Sequence, residues 1–123
     1  MAKLTSHRDL DVYRMAFRVA MQIFELSKSF PDIEKYSMTD QIRRSSRSVC
    51  ANIAEAFRKK KYPKAFISKI VDAEAEAAET QNWLDFAIVC KYLNKEDHEN
   101  LYKAYENIIG KLVNMRTNAD QWS

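Results

Sequence analysis

One glycine and two prolines are too few for the turns of an all-β chain, so a sandwich or barrel is excluded at the outset. No uncharged apolar run approaches the ~18 residues that cross a bilayer. The opening MAKLTSHRDLDVYRM lacks the apolar core of a signal peptide, so a cytoplasmic chain with no membrane role is expected. Cysteine is scarce too: Cys50 and Cys90 both fall in helical patterns and read as reduced core thiols.

The missing chemistry is equally informative. Only His7 and His98 are present, and neither follows a Glu by three residues, so the paired Glu-x-x-His of di-iron bundles is unfilled. No CxxC or HxxxH offers zinc a ligand set. Glu76 and Glu79 share a helix face at i,i+3 and read as a solvated acidic pair. Nothing in the sequence pairs a histidine base with a cysteine nucleophile, and Gly110 alone cannot build a phosphate-cradling loop. No catalytic residue, metal or cofactor is therefore expected, and the chain does not read as an enzyme.

What is present is helix. With 123 residues, 46% of them apolar, the chain fits one domain with a real core. Asp9 or Asp11 can cap a first helix that stops before Phe30-Pro31-Asp32. Ser37, with Asp40 three residues on, resembles a capping box for the second. Pro63 suits the first turn of a third helix, and Asn94 caps a fourth. The expected helices run over about 11–29, 38–60, 63–92 and 95–118. Short connections make successive helices antiparallel, giving an all-α, up-down-up-down four-helix bundle.

Leu101, Tyr105, Ile108, Leu112 and Met115 mark the core stripe of the fourth helix, and small residues through the middle of the third allow close approach. The first helix carries two apolar stripes. Tyr13, Ala16, Phe17, Ala20 and Phe24 form one; Val12, Met15, Val19, Ile23 and Leu26 form a second, assigned here to a subunit interface, with a deeply inserted helix as the alternative.

The segment QIRRSSRSVCANIAEAF, from Gln41 to Phe57, combines an apolar seam with a polar one. Gln41, Ser45, Ser48, Asn52 and Glu55 recur at four, three, four and three, so they share one side of a helix. The serines should admit a neighbouring helix, with Asn52 and Glu55 bonding across to it or to a loop. Charge is lopsided: Asp40–Lys69 holds nine Lys/Arg against two acids, and Asp72–Glu106 nine acids against three lysines. Arg43, Arg44, Arg47, Arg58, Lys59, Lys60, Lys61 and Lys64 are candidate phosphate contacts. Tyr62 lies among them as a possible stacking platform, while Phe66 is expected to face the core. A merely solvated turn, salt bridges from the three arginines to acids of the third helix, and charge steering between subunits are the alternatives.

Asp9-Leu10, Phe30-Pro31, Glu34, Tyr36, Gln41-Ile42-Arg43-Arg44, Ser48 and Asn52-Ile53-Ala54-Glu55 together resemble the 23S rRNA intervening sequence protein family of four-helix bundles. Ala73, Glu79 and Leu84 extend the match; Ala56, and Ala75-Glu76, depart from glycine and Gly-Ser in the family pattern. The resemblance implies a homo-oligomer, a ring-shaped homopentamer, with no catalytic activity. Some members are encoded within insertions in 23S rRNA genes, and a related group serves reverse transcriptases of diversity-generating retroelements. RNA or ribonucleoprotein binding is the leading expectation. A protein adaptor or accessory subunit is the alternative, and a small-ligand or metal bundle ranks behind both for want of ligands.

Overall fold

Helix ends fall where the breaker residues stand. In the computed structural model, which describes residues 4–122, four helices follow one another: α1 (Asp11–Ser27), α2 (Met38–Arg58), α3 (Pro63–Val89) and α4 (Lys95–Thr117). Single 3-10 turns at His7–Asp9, Asp32–Glu34 and Ala119–Trp122 were not foreseen from the sequence. There is no strand among the described residues. Around the bundle each helix packs on the next and α4 closes on α1, with α2–α3 the most extensive contact; α1 and α3 occupy opposite corners.

Two of the four expected caps are built differently. Asp9 serves the preceding 3-10 turn, where it forms a capping box with Ser6, and Leu10 stands at the N-cap of α1 with no side-chain cap bond. Ser37 makes no box with Asp40. Its hydroxyl donates to Glu34 Oε1 at 2.7 Å, and the same oxygen accepts the Met38 N–H at 3.3 Å, so Glu34 caps α2. Asn94 caps α4 by accepting the Asp97 N–H at 2.7 Å, and Pro63 opens α3. α3 stops at Val89 rather than Tyr92 because Lys91 turns left-handed, with φ 65°. Tyr92 N–H then reaches Ala87 O at 2.8 Å and Lys91 N–H reaches Ile88 O at 3.0 Å, which closes a Schellman motif.

The α4 stripe, Leu101 to Met115, is buried throughout. Between α2 and α3 small residues face one another: Ser45, Ala73, Ala77 and Thr80 are all fully buried. Thr80 takes its place by hydrogen bonding, 2.8 Å from Ser45 Oγ and 2.9 Å from the Glu76 carbonyl. Phe66 is core, and Trp122 stacks over it with centroids 6.2 Å apart, closing that end of the bundle.

Two expectations need correction. Val12, Val19 and Ile23 are buried inside the chain itself, and Met15 and Leu26 are half-buried against the same core. That stripe is therefore not free for a subunit interface; the apolar surface α1 leaves in water is Phe17 and Met21, on the other stripe's edge. Of the two free thiols, Cys50 is core but Cys90 is exposed, because it sits at the α3 C-cap where the helix turns out. Burial pushes the Cys50 thiol up to about 11, so it stays protonated and inert at neutral pH.

Candidate nucleic-acid interface

The α2–α3 turn is pinned from below and charged above. Phe57 and Phe66, buried on its two flanks, anchor it to the core. Backbone bonds from Lys59 N–H to Ala56 O (2.9 Å), Lys60 N–H to Phe57 O (3.3 Å) and Tyr62 N–H to Lys59 O (2.9 Å) fix its path. Held this way, Arg58, Lys59, Lys61, Tyr62 and Lys64 all project into solvent. Lys60 folds back, its Nζ 4.2 Å from the Phe57 ring centroid. Two helix ends meet here with opposite polarity. Cations suit the α2 C-terminus, while the α3 N-terminus, with Pro63 at its start and no side-chain cap, favours an anion nearby. Among the described residues none of Arg58, Lys59, Lys60, Lys61 and Lys64 has a carboxylate partner. The patch ends at Lys69, which is matched by Glu55 at 3.5 Å and Asp72 at 3.9 Å.

The three arginines of α2 lie elsewhere, in two different settings. Arg44 points at α3, bonding Glu76 at 2.9 Å and Glu79 more closely still, while its Nε donates to Gln41 at 3.1 Å. Partial burial works against its charge, but the bonds to Glu79 and Glu76 outweigh that and hold its pKa above the ordinary value. Trp83 Nε1 donates to the same Glu79 carboxylate at 3.2 Å. Arg43 and Arg47 instead lie over Phe24 of α1, at 4.9 and 5.6 Å from the ring centroid, with Lys28 at 4.9 Å. Arg43 Nε also donates to Ser27 Oγ at 2.8 Å. Arg47 and Arg58, eleven residues apart on one helix, are separated by ~16 Å. The eight candidate cations thus occupy three places, and only the turn gathers five of them.

The polar seam is also divided. Ser45 is buried against Thr80, as its spacing suggested. Asn52 bonds within its own helix, its Nδ2 donating to Ser48 O at 3.0 Å and Ser48 Oγ at 3.2 Å, so it does not cross to a neighbour. Glu55 does cross, as the exposed partner of Lys69. Sequence reasoning missed the role of Phe24 as an arginine platform and the linkage of Glu34 to Tyr92, whose hydroxyl donates to Glu34 Oε2 at 2.9 Å. The sole hint was composition, since neither link has a local spacing signature.

The model of the family described as 23S rRNA-intervening sequence protein matches residues 8–114. The chain belongs to that family. This 23S rRNA-intervening sequence family member is also similar to a solved structure from Bacteroides thetaiotaomicron VPI-5482, a protein of unknown function from the S23 ribosomal protein family. The two share 30% identity and a TM-score of 0.78 over 87% of this chain and 96% of the other. No curated protein matches the chain. Among the described residues there is no helix long and apolar enough to cross a membrane, and no group of three or more His, Cys, Asp or Glu placed to hold a metal ion.

Proposed function

We propose that this protein is a non-enzymatic, oligomeric RNA-binding bundle that contacts phosphates through its α2–α3 turn. One observation carries the reading: the turn concentrates five cations without a carboxylate partner among the described residues, whereas Arg44, Lys69, Lys111 and Arg116 are each matched by acids. Unmatched Lys and Arg on a fixed backbone neutralise phosphates and release counterions. Exposed Tyr62 adds a ring on which an unpaired base can stack. The family's description in terms of 23S rRNA supports RNA as the polyanion. Assembly, a homopentamer by the resemblance, would repeat the turn in every subunit and raise avidity without new contacts.

The test is filter retention of a structured rRNA fragment by the wild type and by a variant with Arg58, Lys59, Lys60 and Lys61 all changed to Glu. The variant should lose retention while keeping its helical spectrum and oligomer mass. Equal retention would favour the second reading, a protein adaptor. That reading has its own support at the opposite end of the bundle, where Ile33 and Tyr36 stand 84% and 86% exposed.

A further inference from the structure

An open cleft of about 600 Å³ lies between the start of α1 and the end of α4. The order of the helices puts it at the same end of the bundle as the α2–α3 turn. Trp122 links the two, since its ring lines the cleft and stacks on Phe66 beside the turn. The indole is only half-buried, so part of it stays in water. Met15 and Met115 complete the apolar wall.

Gly110, the single glycine of the chain, also lines this cleft. Glycine weakens a helix interior relative to alanine, and no packing within the chain requires it here. Beyond its own helix backbone and chain neighbours, no described atom stands within 4 Å of where its Cβ would sit. The missing side chain instead opens the α4 backbone to the cleft. Asn107 and Asn114, three residues before it and four after, share its helix face and line the same space. Asn114 Oδ1 accepts from Asn118 Nδ2 at 3.0 Å, which leaves the Asn114 amide hydrogens to donate.

Charge decides what the cleft can hold. Asp11 and Glu106 line it against one cation, Lys111, which already lies 3.2 Å from Asp11. Glu106 Oε1 accepts from Gln81 Nε2 at 3.0 Å, and the carboxylate keeps further acceptor capacity. A phosphate would be repelled there. A flat ring carrying an N–H2 group would not: carboxylates accept from an exocyclic amine, side-chain amides pair with base edges, and an indole stacks on a base.

We propose that this cleft takes up one unpaired base with an exocyclic amine, from an RNA strand whose phosphates lie on the α2–α3 turn. The proposal rests on the phosphate-contacting reading of that turn and adds a base site to it. Trp122 supplies the stacking surface, Asn107, Asn114 and Glu106 meet the base edge, and Gly110 leaves room for the ring.

Fluorescence anisotropy at low salt tests it with oligocytidylate, oligouridylate and an abasic strand of equal length. The wild type should bind oligocytidylate at least about tenfold more tightly than the abasic strand, and more tightly than oligouridylate, which lacks the amine. Gly110→Leu fills the cleft and should bind all three alike, at the wild-type affinity for the abasic strand. Its melting temperature should not fall, because leucine favours helix more than glycine does. Asn107→Leu, at an exposed position, should lose the preference for oligocytidylate over oligouridylate. Equal wild-type affinity for oligocytidylate and the abasic strand would overturn the base site and leave the phosphate reading standing, and a preference that survives Gly110→Leu would do the same. Equal affinity for the two pyrimidine strands would overturn recognition of the amine. Binding of oligocytidylate without any binding of the abasic strand would instead support the cleft and sink the turn, and a wild type that binds no strand would sink both.

Discussion

Thr80 donates a 2.8 Å hydrogen bond to Ser45 across the α2–α3 contact, with both side chains fully buried. The bond is possible only because small neighbours, Ala73 and Ala77, let the helices approach. A buried hydroxyl stripped of its partner keeps the desolvation cost of burial. Thr80→Val, which preserves shape, should therefore lower unfolding free energy by roughly 1–3 kcal/mol in urea titration. No change would mean that Ser45 finds an equivalent partner.

Lys91 adopts φ 65° to close the α3 Schellman motif. The left-handed conformation costs a side-chain-bearing residue ~1–2 kcal/mol, partly offset by the greater unfolded-state freedom of glycine. Lys91→Gly should raise stability by about 0.5–1 kcal/mol and lift the melting temperature. A lower melting temperature would show that the lysine side chain contributes more than its backbone strain costs.

Glu34 accepts hydrogen bonds from Ser37 and Tyr92 and from the Met38 N–H. Those bonds, Ser37's first, hold its carboxyl below the ordinary 4.5. A carboxylate with a depressed folded-state pKa contributes stability above its unfolded pKa and loses it as pH falls through the folded one. Glu34→Gln should consequently lower the urea midpoint at pH 7, and the gap to wild type should shrink below pH 4.5. A gap that is independent of pH would remove Glu34 as the charged cap of α2.

Arg44 and the turn cations separate structure from binding. Arg44 is engaged by Glu76 and Glu79, with its side chain 45% exposed, so solvent screens the pairs. Arg44→Gln should cost ~0.5–1 kcal/mol and leave RNA affinity within about twofold. A large affinity loss without a stability loss would place Arg44 in the binding surface.

The parts of the fold legible in sequence were those with one apolar face. α4 showed its core stripe because Leu101, Tyr105, Ile108, Leu112 and Met115 recur at steps of four, three, four and three, and all five are buried. α1 misled because the core takes parts of both stripes: the small Ala16 and Ala20 of the first are buried together with Val12, Val19 and Ile23 of the second, while Phe17 is left exposed. Spacing alone does not say which edge of so wide an arc faces inward. On α3, alanines occur both inside (Ala73, Ala77) and outside (Ala75, Ala78), so the outer stripe was hidden among residues assigned to close packing. The basic turn was readable because its cations are contiguous. How the arginines divide was not, since that depends on which α3 acids face α2 and on Phe24 of α1.

The central claim is that unmatched turn cations hold RNA phosphates, and the salt dependence of affinity measures this most directly. For single-stranded RNA each phosphate contact contributes about −0.7 to the slope of log K against log salt concentration. Four or five cations per turn therefore predict a slope of roughly −3 or steeper for the wild type. The four-glutamate variant should show no measurable binding at the same low salt. A wild-type slope near zero, or equal affinity in the two proteins, would contradict the account.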